Sequence, residues 1–191
     1  MNSAYEKLVG HFEDRELRYA AQEERQTVTA DFRGEVGTFR VLARVDEAEG
    51  LFQVFGYLPV RIPEGARPAV AEAITRANFG LKIDKFEMDM DDGEVLFQAA
   101  QVFVGHGSSH PASHPAGHDS EELAEESSSD DSIDNSSDNT SEGLNDVVIG
   151  RLIATSLAML DKYAPAFLSV VYGNEPARDA IRRVESGMEP H

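Results

Sequence analysis

The 191-residue sequence has no cysteine and no tryptophan, and only 17 Lys and Arg against 35 Asp and Glu. Without cysteine there is no disulfide framework, no thiol nucleophile and no zinc–thiolate site. The shortage of bases, a formal net charge of -18, disfavours nucleic acid and anionic membranes as partners, because both are bound through clustered Lys and Arg. Long apolar runs are also missing: the best stretch, Val147–Leu160, is interrupted by Arg151 and falls short of the ~18 residues a membrane helix needs. The opening MNSAYEKLVGHFEDRE has neither the basic start nor the apolar core of a secretory signal. The expectation is an acidic, cytoplasmic protein. A chain of this length suits one domain, which buries ~70% of the surface its unfolded form exposes and needs no covalent staple.

The charge is uneven. Residues 105–143 hold 10 acids, 11 Ser and no Lys or Arg, with Leu123 and Ile133 as their large apolar side chains. Such a segment cannot bury enough apolar surface to offset its conformational entropy, so it reads as a disordered insert. The other 152 residues carry 25 acids and 17 bases, a net of -8. Residues 1–104 together with 144–191 are therefore read as a single folded domain. The insert places His106, His110, His114 and His118 at four-residue intervals. Four imidazoles on one chain are candidate ligands for a soft divalent metal, and weak metal binding or sensing is the alternative functional reading. The plainer reading is a polar spacer, since Pro111 and Pro115 oppose the helix that would align the rings.

Outside the insert the periodicities alternate between helix and strand. Ser3 and Glu6 form a capping-box pattern ahead of Tyr5, Leu8, Val9 and Phe12, one helical stripe. Val28, Ala30 and Phe32, then Phe39, Val41, Ala43 and Val45, alternate with polar residues, as half-buried antiparallel strands do. A third strand, Leu51–Val60, is apolar on both parities. A second helix runs from about Pro68 to Gly80, with Val70, Ala71, Ile74, Ala77 and Asn78 on one face. Phe86, Met88 and Met90 begin a hairpin, with Asp92-Gly93 suggesting a type I′ turn, and Val95–Val104 as the return strand. Leu144–Tyr163 is a long helix that Pro165 should interrupt. Glu175–Glu185 is a polar candidate for a last helix. The prediction is an α+β fold: a five-stranded antiparallel sheet with packed helices in the order α-β-β-β-α-β-β-α.

This order carries a resemblance. The matching residues are Ile62-Pro63-Glu64, Arg76-x-Asn78-x-Gly80-Leu81, Lys85-Phe86-Glu87-Met88-Asp89, Asp92-Gly93-Glu94, Phe39-Arg40-Val41 and Val45-Asp46-Glu47, with Leu157-x-x-Leu160-Asp161-x-Tyr163-x-Pro165 downstream. Together they resemble the YbjN-domain family of bacterial sensory-transduction regulators. The resemblance implies a fold similar to that of type III secretion chaperones, a homodimer, and no catalytic residues. Lys82-Ile83-Asp84 stands where a glycine commonly sits in the family.

The residues themselves offer little catalytic chemistry. Outside the insert and the terminal His191, the one histidine is His11, and a serine or cysteine triad lacks members. The acids Asp89, Asp91, Asp92 and Glu94 do not form an EF-hand loop: with Gly93 at position six, Met88 and Met90 would occupy ligand positions. No phosphate-binding glycine motif occurs, since Gly105-His106-Gly107 lacks the third glycine. Arg182-Arg183 reads as a solvated helix face. No cofactor is expected. The informative excess is apolar: Phe52, Val54 and Leu58 on one parity and Phe55 and Tyr57 on the other require two covering layers. An uncovered layer would bind a partner protein, most simply a second copy of the chain. These five residues are the candidate partner or dimer surface of a non-enzymatic interaction module.

Overall fold

The computed structural model describes residues 3–103 and 144–187. The capping box forms as expected: Glu6 N–H donates to Ser3 Oγ at 3.1 Å, and Ser3 N–H to Glu6 Oε2 at 2.8 Å. It opens helix α1 (Ala4–Glu13). Three strands follow as a meander after a short leading strand: β1 (Ala20–Gln22), β2 (Thr27–Arg33), β3 (Thr38–Asp46) and β4 (Leu51–Tyr57). Helix α2 (Arg67–Gly80) crosses over to a hairpin of β5 (Lys85–Met88) and β6 (Val95–Val102), and β6 returns beside β4. The sheet order is β1-β2-β3-β4-β6-β5, antiparallel throughout. Helices α3 (Asp146–Tyr172) and α4 (Ala177–Ser186) complete the order.

The α+β class and antiparallel sheet stand, with corrections. Among the described residues there are six strands, not five. Ala20-Ala21-Gln22 has no buried face, so no alternation marks β1; it forms by pairing with Thr27–Thr29 of β2. Helix α3 passes through Pro165. The lost backbone bond is outweighed by burial on both sides of it, with Tyr163, Ala164, Ala166, Phe167 and Val170 all inside. The polar last segment does form a helix, α4, held by Ala177, Ala180 and Ile181 against α2 and α3. Between β5 and β6 the turn is longer than type I′. Asp89 N–H donates to Glu94 O at 2.9 Å and Gly93 N–H to Asp89 O at 2.8 Å, and Gly93 (φ 77) has positive φ while Asp92 does not. A Cβ on Gly93 would collide with the carbonyl oxygen of Ile62, so this corner accepts no side chain.

One face of the sheet carries the core. Val28, Phe39, Val41, Phe52, Val54, Val95, Phe97 and Phe86 are buried there beneath Leu8 and Phe12 of α1 and Ile149, Leu160 and Phe167 of α3. Phe86 is the hub of edge-to-face contacts, with ring centres 4.8 Å from Phe97, 5.3 Å from Tyr163 and 5.1 Å from Phe167. Gly56 on β4 lets α3 come close, because a Cβ there would lie 2.7 Å from Leu160 Cδ1. Among the described residues no helix is long and apolar enough to cross a membrane.

Candidate interaction surface

Strand parity divides the predicted surface residues into two groups. Phe52, Val54 and Leu58 point to the covered face and are 0%, 0% and 6% exposed. Helix α3 packs on β4, and these three residues are buried in the core of the chain. Phe55 and Tyr57 point the other way and are half-buried. Their neighbours in register are Leu42 and Gln98 beside Phe55, and Arg40 and Leu96 beside Tyr57. Leu42, Phe55, Tyr57 and Leu96 thus form an apolar centre on a sheet face that no described element covers, and all four are half-buried. Leu42 and Leu96 escape a sequence reading because each lies on the less apolar parity of its strand; only cross-strand register brings them beside Phe55 and Tyr57.

The rim of this face is charged and paired. Arg40 Nε donates to Asp31 Oδ1 at 3.1 Å, Arg44 lies 3.8 Å from Asp46, and Lys85 lies 2.7 Å from Glu87. Burial pushes the Tyr57 hydroxyl above its ordinary pKa, and the charge of Glu94 adds to the rise.

At Phe86 the sheet edge beside this face is capped by a side chain. Phe86 N–H donates to Asn78 Oδ1 at 2.8 Å, while Asn78 Nδ2 donates to Phe86 O at 2.9 Å. Asn78 of α2 therefore satisfies the outward N–H and C=O of Phe86 as a neighbouring strand would, which blunts the edge at that residue. The turn before β5 holds Asp84 at φ 63, the left-handed geometry that a glycine adopts freely. Aspartate manages it because its Oδ1 accepts from Ala100 N–H at 3.1 Å. The departure from the family's glycine is thereby explained.

Several titratable groups are paired across elements. His11, 4% exposed, donates from Nδ1 to Asp146 Oδ1 at 2.5 Å, and Arg15 donates to both oxygens of Asp146 at 2.8 and 2.7 Å. This cluster clamps α1 to the first turn of α3. Hydrogen bonds from Arg15 and His11 hold the Asp146 carboxyl below its usual range. At the other end of α3, Arg183 Nη2 and Ser169 Oγ donate to Glu175 Oε2 at 2.7 and 2.6 Å. Arg183 depresses the Glu175 carboxyl most, and Ser169 assists. The solvated-face reading of Arg183 is thus corrected: its side chain is 18% exposed and turned inward, whereas that of Arg182 is 65% exposed. The acidic turn is tied to itself and to Arg61: Asp89 Oδ1 accepts from Asp91 N–H, Asp92 Oδ1 from Glu94 N–H, and Arg61 pairs with Asp92 and Glu94. No metal-binding group of His, Cys, Asp or Glu occurs among the described residues. The insert predicted at 105–143, with His106, His110, His114 and His118, lies outside the described residues.

These features define a class: an α+β protein whose described helices cover one face of an antiparallel sheet and leave the other bare, with several charged side chains paired between elements. A model of the YbjN family, described as "putative bacterial sensory transduction regulator", matches residues 5–110. The chain belongs to that family. The match runs from α1 through β6 and stops before α3. No curated protein matches the chain.

Proposed function

We propose that the protein is a non-enzymatic, cytoplasmic regulatory module that acts by binding a partner protein on the bare sheet face, in the manner of a chaperone holding a client segment. One observation carries the reading: Leu42, Phe55, Tyr57 and Leu96 are juxtaposed on a face that no described helix covers. An apolar centre with a charged rim is the anatomy of protein contact surfaces, and Tyr and Phe are frequent anchors there. The family description as a sensory-transduction regulator supports a role in signalling. The pairing of His11 with Asp146 and of Arg183 with Glu175 ties helices and their flanks together, which supports a structural use of these groups.

The test is affinity capture from the native cell with the intact chain and with Tyr57→Glu, circular dichroism certifying the fold of both. The wild-type chain is expected to retain a partner protein that Tyr57→Glu loses. Equal capture by both proteins overturns the assignment to this face.

A further inference from the structure

Helix α2 caps the edge of β5 at Phe86 but not two residues further on. Asp89 N–H points inward, to Glu94 O, whereas Phe86 N–H and C=O point outward, to Asn78. Alternation along an antiparallel ladder turns the N–H and C=O of Met88 outward as well. Neither group has a hydrogen-bond partner among the described residues. Beyond it, Met90 O is taken by Arg67 Nη1 at 3.0 Å. The edge is therefore capped on both sides of Met88 and open at Met88 itself. Beside it lies a groove of about 650 Å³ that wraps the strand edge. Ala71 and Ile74 of α2 line it together with Met88 and Met90, while Leu96, Glu87, Asp89 and Glu94 line it on the side of the bare face. No Lys or Arg lines the groove. The bases around it are engaged: Lys85 with Glu87, Arg61 with Asp92 and Glu94, and Arg67 with the carbonyls of Ile62, Met90 and Asp91. On α2, Glu72 and Arg76 cancel. Glu87, Asp89, Asp91, Asp92 and Glu94 thus outnumber Lys85, Arg61 and Arg67, and the corner is net acidic.

Resting on the reading of the protein as an interaction module, we propose that this open edge binds an extended basic segment of another protein, which adds a short antiparallel strand at Met88. One partner residue exchanges both hydrogen bonds with Met88, the arrangement a single open position allows. Residues opposite each other in an antiparallel pair share a face. The central partner side chain therefore enters the groove beside Met88, Ile74 and Met90 and is apolar. Its two neighbours lie opposite Glu87 and Asp89, on the side of Glu94 and Leu96, and are Lys or Arg. The motif recognised is basic–apolar–basic, and the caps at Phe86 and Met90 keep the pairing this short. Charge excludes the chain's own material. Two copies of β5 paired at Met88 would set Glu87 of each against Asp89 of the other, and residues 105–143 hold 10 acids with no Lys or Arg.

The experiment titrates the full, isotopically labelled chain with the blocked peptide Thr-Lys-Val-Lys-Thr and follows the Met88 amide by nuclear magnetic resonance. Binding should shift that resonance and slow its exchange with solvent. N-methylation of the central peptide residue removes the N–H donated to Met88 O and should weaken binding by roughly tenfold. Replacing both peptide lysines with glutamate should abolish binding. In the protein, Met88→Pro removes the outward N–H without touching a ladder bond to β6, and it should abolish binding with the circular dichroism of the fold retained. Glu87→Gln together with Asp89→Asn should weaken binding and flatten its salt dependence. If Met88→Pro does not fold, the N-methylated peptide against the unaltered chain makes the same test. An unmoved Met88 amide at millimolar peptide, or equal binding of the N-methylated or glutamate peptide, overturns the proposal. If capture from the native cell survives Met88→Pro and is lost by Tyr57→Glu, this inference fails while the bare-face reading stands. The reverse pattern overturns the bare-face reading and supports the edge.

Discussion

Phe52 and Phe55 lie on the same strand, three residues apart, with the same side chain and opposite surroundings. Phe52 is 0% exposed beneath the helices, and Phe55 is half-buried on the bare face. The difference shows that an apolar residue in a strand carries two kinds of information. On the covered face it contributes to folding, and on the bare face its remaining exposure is available to binding.

The comparison breaks most directly if the two residues are truncated in turn. Phe52→Ala empties a fully packed site and should cost about 3–5 kcal/mol, read as a large fall in the urea midpoint. Phe55→Ala removes surface that is only partly buried in the folded chain and should cost roughly 1 kcal/mol. Its effect should appear in association rather than in stability. Equal losses would mean that the outer face is covered as fully as the inner one.

The next largest effect concerns how α3 covers the inner face. Gly56→Ala places a Cβ where Leu160 Cδ1 stands 2.7 Å away, and overpacking of this kind costs about 1–3 kcal/mol. The same substitution beside Leu160→Ala should cost less, because the obstructing methyl is gone. A thermal double-mutant cycle measures the coupling, and additive losses would show that α3 does not rest on Gly56. A comparable loss, about 1–3 kcal/mol, is expected from Asn78→Ala, which leaves the outward N–H and C=O of Phe86 without their partner. Faster amide exchange at Phe86, with the sheet otherwise intact, would mark the edge as opened.

Much of this architecture is legible in the sequence because burial and period coincide. The capping box at Ser3, the alternation of Phe39 to Val45 and the helical stripe after Leu144 each report one local geometry and one buried face. The doubly apolar parity of Leu51–Tyr57 correctly indicates two faces in need of explanation. It does not say which face the chain covers itself, since that depends on α3, which follows the strand by about ninety residues. What escapes is non-local. Strand β1 exists through its pairing with β2 and not through any pattern of its own. Pro165 continues a helix because the packed residues around it outweigh a local rule. Arg183 and His11 look unremarkable until Glu175 and Asp146 are placed beside them. The site is half legible for the same reason: Phe55 and Tyr57 belong to a conspicuous strand, whereas Leu42 and Leu96 acquire meaning only through register.

The smallest predicted effect sharpens the account of how the inner face stays covered. The clamp of His11 and Arg15 on Asp146 joins α1 to α3 at the edge of the covered layer. The Asp146 carboxyl is held below its usual range in the folded chain, first by Arg15 and then by His11, so the folded state favours the ionised form. Its contribution is therefore full above the ordinary carboxylate range and disappears as pH falls through the depressed folded value. Because the Asp146 side chain is 54% exposed, screening limits that contribution to about 1 kcal/mol or less. Asp146→Asn should lower the midpoint slightly at neutral pH, and the gap from wild type should close progressively on acidification below the ordinary carboxylate range. Amide exchange should rise in α1 and the first turn of α3 and remain unchanged in the strands. A gap that stays constant with pH would mean that Asp146 acts through shape and packing rather than charge. The cover of the inner face would then owe nothing measurable to this ion pair.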